Sequence, residues 1–344
     1  MSLKSIMDSA ETSPVRSRRR RWMGCLLPFL LVVGLLTAGG LYLNRHRDLL
    51  PIPALSEGCE VDTSDGIVDL SVTQMGNAGT ISAVAISRDL PERAVAISLA
   101  TAMQESRLEN LPAGDRDSIG LFQQRPSQGW GTPAQIADPV YATGKFLDKL
   151  VRIPGYAQLP LTVAAQDVQH SGYPDAYAQH EDDATTLAGA LTGRLPATLN
   201  CTVNGVGTAA AGAVSSDGLQ PGAATVARTL TKDFGRSVTP VAAAPLPAAT
   251  GSAAASGPGS ASASAAARGL DLAVGTGGGA AGKQLGWAVA QWAVANCQQL
   301  HITAVSYAGR TWQSGSVSAK GWQPTAAGAA TAASATSVRI TVAG

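Results

Sequence analysis

The stretch Met103–Thr132, MQESRLENLPAGDRDSIGLFQQRPSQGWGT, ends an apolar run, AVAISLATAM, on an acid, Glu105, and continues into a polar loop rich in Gly, Asp and Gln. A carboxyl group at the end of a buried helix has two uses. It accepts hydrogen bonds from backbone donors of the next loop, or it sits in a poorly solvated cleft. There desolvation disfavours the charged form and yields a proton donor near neutral pH. Cleavage of a glycosidic bond requires such a proton on the leaving oxygen. Hydrolysis with two carboxylates also requires a partner roughly 5–9.5 Å away, and Asp115 and Asp117 in GDRDS are the close candidates in sequence. Their simpler reading is local, as Asx-turn residues pairing with Arg116. His170 and His180 belong to no recognisable nucleophile arrangement and read as surface or helix-end residues.

The elements that must position Glu105 are helical by pattern. DLPERAVAISLATAMQES opens on Pro91 and Glu92, a proline start followed by an acid at the positive end of the helix dipole. From Ala94 to Met103 almost every residue is small or apolar, which predicts a helix buried on most sides. DPVYATGKFLDKLV repeats the start signal with Asp138 and Pro139 and spaces Tyr141, Phe146, Leu147 and Leu150 along one helical face. PLTVAAQDVQHS and PDAYAQHEDDATTLAGAL read as two further helices, and LSVTQMGNAGTISAVAIS as the first. Together they predict an orthogonal helical bundle with Met103–Thr132 as its main irregular element.

With Glu105-Ser106 followed, fifteen residues after the Glu, by Gly120-Leu121-Phe122-Gln123, the chain resembles the soluble lytic transglycosylase and goose-type lysozyme superfamily. In that superfamily a Glu-Ser pair closes a buried helix, and a Gly-Leu-Met-Gln-like turn forms the opposite wall of the sugar cleft. The longer stretch GDRDSIGLFQQRPSQGWGT, with flanking cysteines, also resembles membrane-anchored actinobacterial proteins that carry a divergent lysozyme-like domain. The resemblance covers approximately residues 59–201. It implies Glu105 as the general acid, Ser106 orienting the acid or a sugar substituent, Gln123 bonding the N-acetyl sugar, and Gly120 permitting close backbone approach. From the residues alone, Ser106 reads equally as a helix-ending serine bonded to backbone, and Gly120 as a turn.

The family's Ala-Tyr-Asn-Ala-Gly-like stretch, whose Tyr lies near the acid, corresponds here to AAQDVQHSG, which places Gln166 or Asp167 in that role. Gln166 can donate to the carboxyl group or to substrate but does not reproduce a phenol. Members of the family work with one acid/base Glu, assisted by the substrate's N-acetyl group, while the muramyl 6-hydroxyl attacks to form a 1,6-anhydro product. Hydrolysis and anhydro formation both stay open, with Asp117 as an assisting group and Asp115 as a loop former. Arg125, Gln128 and Trp130 suit a saccharide groove as charged clamp, amide and stacking face, or Arg125 and Trp130 close the loop over the core.

The wider chain sets the context. At 344 residues and a net charge of +1 it shows no general affinity for nucleic acid. Trp22 to Leu43 is a run without charge, and at ~1.5 Å per residue it crosses a hydrocarbon core of ~30 Å. Arg16 and Arg18 to Arg21 precede it, whereas Arg45 and Arg47 beyond it are partly offset by Asp48. This bias places the N-terminus in the cytoplasm and the bulk outside a plasma membrane crossed once. A cleaved signal peptide has an apolar core of only ~7–15 residues, so an uncleaved anchor is the preferred reading. In an extracytoplasmic setting Cys59 and Cys201 read as a disulfide that staples the ends of the helical region, against the alternative of two separate buried thiols. Cys25 falls in the span and Cys297 is left over as a buried thiol. With no CxxC and four histidines, neither a metal site nor a cofactor is expected.

The expected fold class is therefore mainly α. Residues 1–21 form a basic tail, 22–43 a transmembrane helix, 44–58 a tether, and 59–204 an orthogonal lysozyme-like domain. Residues 205–282, rich in Ala, Gly, Ser and Pro, read as a disordered linker with at most a transient helix in ATVARTLTKDFGRSV. Residues 283–344 read as a small α+β module, the helix QLGWAVAQWAVANCQQLHI followed by TAVSYAGRTWQ and TSVRITVAG as strands. Its tryptophans suit a core, or the binding of glycan or a cell-wall protein partner. Two functions follow from these readings. One is a membrane-tethered enzyme that cleaves peptidoglycan glycan strands, and the other is a non-catalytic wall-binding or scaffolding protein with the same cleft.

Overall fold

The computed structural model describes residues 56–64, 66–209, 211–242, 269–273 (backbone only), 279–325 and 337–343. Ser71 and Gln74 form a capping box that starts helix α1, Val72–Ile86. Pro91 caps helix α2, Glu92–Ser106, with Glu92 in its first turn. Thr132 and Gln135 form a second capping box over the single turn α3, Pro133–Ile136. The Asp138 carboxylate accepts from the Val140 amide and opens α4, Pro139–Leu150. Helices α5, Leu161–Gln169, and α6, Glu181–Leu191, follow, the latter with three acids in its first turn. Phe146, Leu147 and Leu150 are fully buried along α4, and α2 buries residues on every side from Ala94 to Ala102.

Strands flank these helices in sequence. β1, Gly58–Thr63, pairs with β2, Gly66–Leu70, and with β3, Leu199–Thr202, in an antiparallel sheet ordered β2-β1-β3. Cys59 stands opposite Cys201 in that register and the two are joined by a disulfide spanning 142 residues of sequence. A second antiparallel sheet, ordered β4-β5-β9-β6-β7-β8, contains β4 (Pro240–Ala242), β5 (Gly269–Ala273), β6 (Ile302–Tyr307), β7 (Arg310–Gln313), β8 (Gln323–Pro324) and β9 (Ser337–Val342). Helix α7, Pro221–Phe234, precedes this sheet and α8, Ala280–Ala295, lies between β5 and β6.

The expected fold class is corrected by this arrangement. The protein is a mixed α and β structure with two antiparallel sheets, not mainly helical with a small α+β module on a disordered tether. Every residue of α8 from Gly286 to Ala295 is buried. One sheet face covers only one side of a helix, so a helix apolar all round needs a second layer. That layer is α1, α6 and β3, which pack against α8 while β6 and β9 cover it from the other side. Gln291, fully buried on α8, seals the junction. Its Oε1 accepts from the amides of Thr198 and Leu199, and its Nε2 donates to the carbonyls of Ala190 and Leu195. Trp322 and Trp312 donate to the Leu199 carbonyl and to Asn200 Oδ1, so these indoles are structural partners of β3. The described residues accordingly belong to one compact unit, Leu55–Gly344.

The region expected to be linker also contains α7, which buries Val226, Leu230 and Phe234. Sequence composition averaged over this region hid a helix with one apolar face. The expected transmembrane helix, residues 22–43, lies outside the described residues, and among the described residues no helix is long and apolar enough to cross a membrane.

Asp233 ties α7 to its neighbours. At 2% exposure, its Oδ2 accepts from Trp292 Nε1 at 2.9 Å and from Thr80 Oγ1 at 3.1 Å, joining α7 to α8 and α1. Burial pushes its pKa from 3.8 up to about 6, against the pull of those two bonds and of Lys232. Between these values the folded state binds more protons than the unfolded chain, so this group's contribution to stability falls as pH rises through that window and is level above it. Asp233→Asn removes the titration. Unfolding measured at a series of pH values should show the variant gaining on wild type by on the order of 3 kcal/mol between about pH 3.5 and about pH 7. A pH-independent difference would contradict the assignment.

Candidate functional site

Helix α2 ends on the buried Ser106, and the turn that follows is held by side chains of α1. Arg107 and Leu108 both take left-handed backbone, with φ 55° and 61°, turning the chain off the helix. The Arg107 carbonyl accepts from Gln74 Nε2 at 2.8 Å and the Leu108 carbonyl from Asn77 Nδ2 at 2.7 Å, both from α1. The buried Ser106 hydroxyl lies 2.7 Å from the Leu121 carbonyl and 3.0 Å from that of Ala102. Having one proton, it is a link between the helix end and the hairpin fifteen residues on.

That hairpin is closed by reciprocal bonds of 3.0 Å between the backbones of Ile119 and Gln124. At its tip Gly120 has φ +77°, and a Cβ there would stand 2.8 Å from the Ile136 carbonyl, so the position needs glycine twice over. Leu121 and Phe122 point into the core, with Phe122 stacked on Phe146 at 4.8 Å. Gln123 has φ +46° and its Nε2 donates to the Gly120 carbonyl at 3.0 Å, so its amide braces the turn. Gln169 Nε2 on α5 donates to the Phe122 carbonyl.

Half-buried Glu105 faces a partner that sequence reasoning missed. Tyr177, fully buried in the 3-10 turn Ala176–His180, donates its hydroxyl to Glu105 Oε1 at 2.8 Å. Burial, and then the Glu105 charge, push the phenol further above its ordinary range, so Tyr177 stays a donor. The Ser171 hydroxyl is a second polar neighbour of the phenol. Gln166 does not take the tyrosine's place. It is one step behind, its Nε2 donating to the Ser171 carbonyl at 2.8 Å, with Oε1 buried and unpartnered. Asp167 is exposed. The adjoining turn is clamped by Gln104 Oε1, which receives Gln179 Nε2 at 2.8 Å and lies 3.1 Å from His180 Nε2. Burial lowers the His180 pKa. The signal for Tyr177 was present in YPDAY, but the phenol comes from the turn after α5 and not from within a helix.

The loop residues have other partners. Asp117 receives Arg125 Nε at 2.8 Å, the Ser127 amide at 2.8 Å and the Ser127 hydroxyl at 3.0 Å. Arg125 first, then Ser127, holds this carboxyl well below the usual carboxylate range. Asp117 and Arg125 thus lock the loop together. Asp115 is exposed, with Arg116 at 3.8 Å. Trp130 is 6% exposed, its ring covered by Lys149 Nζ at 3.3 Å and its carbonyl held by Tyr141. Gln128 is exposed. Among the described residues no group of three or more His, Cys, Asp or Glu side chains is placed to hold a metal ion. Cys297 is a buried free thiol whose pKa burial pushes up to about 12.

The hairpin makes a direct forecast. Gly120→Ala should lower stability by about 1–3 kcal/mol in denaturant unfolding, since the new methyl meets a backbone carbonyl in left-handed backbone. A change under about 0.5 kcal/mol would show that the turn is not held as described.

Residues 215–335 are similar to a protein family described as VldE, C-terminal domain. That stretch begins before α7 and contains neither Glu105 nor Tyr177 nor the Gly120 hairpin. No curated protein matches the chain.

Proposed function

We propose that the protein is a membrane-tethered enzyme that cleaves peptidoglycan glycan strands, with Glu105 as its acid. The observation that carries this reading is the Tyr177 to Glu105 hydrogen bond of 2.8 Å at the end of a buried helix. The helix end, the Gly-Leu-Phe-Gln turn and a phenol on the acid are the three parts the resemblance requires, and here the phenol comes from Tyr177. Because Tyr177 occupies Oε1 as a donor, Oε2 is the oxygen left to carry a transferable proton. It passes to the glycosidic oxygen as the bond from C1 to the leaving sugar breaks.

The partners of Asp117 favour a route with one acid. A base must take up a proton readily, whereas Arg125 and Ser127 hold this carboxylate in three hydrogen bonds and keep it well below the usual carboxylate range. The N-acetyl oxygen of the substrate then assists at C1. The Glu105 carboxylate takes the proton from the muramyl 6-hydroxyl as that oxygen attacks C1, giving a 1,6-anhydro end and restoring the acid. Residues 22–43 anchor the chain, with the basic tail in the cytoplasm and the site on the wall side.

The test is mass spectrometry of muropeptides released from purified peptidoglycan by the full-length chain in detergent and by its Glu105→Gln variant. Anhydromuramyl ends that fall by at least about a thousandfold in the variant are the expected result. Reducing muramyl ends lost in the variant would shift the reaction to hydrolysis. Sedimentation with the glycan without release of either product would replace the enzyme with a wall-binding protein.

A further inference from the structure

A glycan site needs an open ring face for the apolar side of a sugar, and the aromatic residue that sequence offered, Trp130, is closed under Lys149. Tyr173 is different. It is 78% exposed, on the loop that joins α5 to the 3-10 turn bearing Tyr177.

A single exposed aromatic residue is unremarkable by itself, but the backbone of this one is held in place and linked to the acid. The Tyr173 amide donates to Ser171 Oγ at 3.1 Å. The same Ser171 hydroxyl neighbours the Tyr177 phenol, which donates to Glu105. The Tyr173 carbonyl accepts from the Ala176 amide at 3.2 Å. Pro174 follows directly and restricts Tyr173 to extended backbone. The Pro174 carbonyl is held in turn by Thr162 Oγ1 at 2.7 Å. Gln166 Nε2 fixes the Ser171 carbonyl from α5. The chain on both sides of Tyr173 is therefore ordered before any ligand arrives, and the side chain itself has two torsions to restrict.

We propose that Tyr173 is a substrate-binding residue that stacks against a pyranose ring of the glycan strand beside Glu105. This rests on the reading of Glu105 as the acid of a glycan-cleaving site. The ring supplies a flat apolar face to the axial C–H groups of a sugar, and the hydroxyl at its edge remains free to bond a sugar oxygen. Its task is to place the strand, so its loss acts on binding more than on the chemical step.

The experiment compares wild type with Tyr173→Ala, Tyr173→Phe and Tyr173→Trp. It measures muropeptide release against peptidoglycan concentration, and sedimentation with purified peptidoglycan in the Glu105→Gln background. Tyr173→Ala should raise the apparent KM and weaken sedimentation about tenfold, with a smaller effect on kcat, while Phe and Trp keep binding within about threefold of the parent. Binding by Tyr173→Ala equal to the parent overturns the stacking role and leaves the Glu105 reading standing. Loss of binding in Tyr173→Phe as large as in Tyr173→Ala also overturns it, since the hydroxyl and not the ring would then be the contact. A wild-type chain that neither releases product nor sediments overturns both.

Discussion

The turn by which the chain leaves α2 constrains what surrounds Glu105. Arg107 and Leu108 leave the helix through left-handed backbone, and the carbonyls turned out of the helical ladder there need other donors. Here Gln74 and Asn77 of α1 reach the Arg107 and Leu108 carbonyls. The donor at Ser106 is used in the opposite sense, outward to the Leu121 carbonyl of the hairpin. Meeting these demands brings α1, the hairpin and α2 to one point. Glu105, a single residue before Ser106, is carried to that point with its backbone fixed and its carboxyl held by Tyr177.

The C-terminal half of the described structure supports this arrangement from behind. Helix α8 packs on α1, the helix that supplies Gln74 and Asn77. A Cβ on Gly79 of α1 would stand 3.4 Å from the Trp292 ring and 3.3 Å from Asn296, so the two helices approach closely at this point. Gln291 bonds four backbone groups between α6 and β3, the Thr198 and Leu199 amides and the Ala190 and Leu195 carbonyls. The helices around Glu105 and the six-stranded sheet therefore share one core through α8, and a change in the α8 core reaches α1 directly.

Local signals were readable and long-range ones were not. Pro91 with Glu92, and Asp138 with Pro139, mark helix starts because capping chemistry acts over a few residues. The apolar run before Glu105 reads as a buried helix for the same reason. Of the second sheet, β6, β7 and β9 were legible as strands, whereas β4, β5 and β8 escaped because they are short, β4 and β5 stand in Ala- and Gly-rich sequence, and β5 pairs with β9 some seventy residues away in sequence. Helix α8 was read as part of a small module because sequence shows that it is apolar, not what covers it. At the site, Tyr177 was overlooked because the phenol was sought in α5, whereas the fold delivers it from the following turn. Residue type alone left Asp117 open between a loop clamp and an assisting carboxylate. Its three hydrogen bonds to Arg125 and Ser127 make it a clamp.

What remains at the centre is one carboxyl group, one phenol donor and a braced turn, the three parts on which the proposed acid role of Glu105 rests. The pairing of Glu105 with Tyr177 is the claim on which this account stands, and Tyr177→Phe removes one hydroxyl from it while keeping the ring that fills the core. The measurement is the turnover of peptidoglycan by this variant together with its sedimentation on the same substrate. Loss of a hydrogen bond to a carboxylate is worth about 1.5–3 kcal/mol, so turnover should fall roughly 10- to 100-fold with binding unchanged. Undiminished turnover in a folded Tyr177→Phe protein would contradict the account.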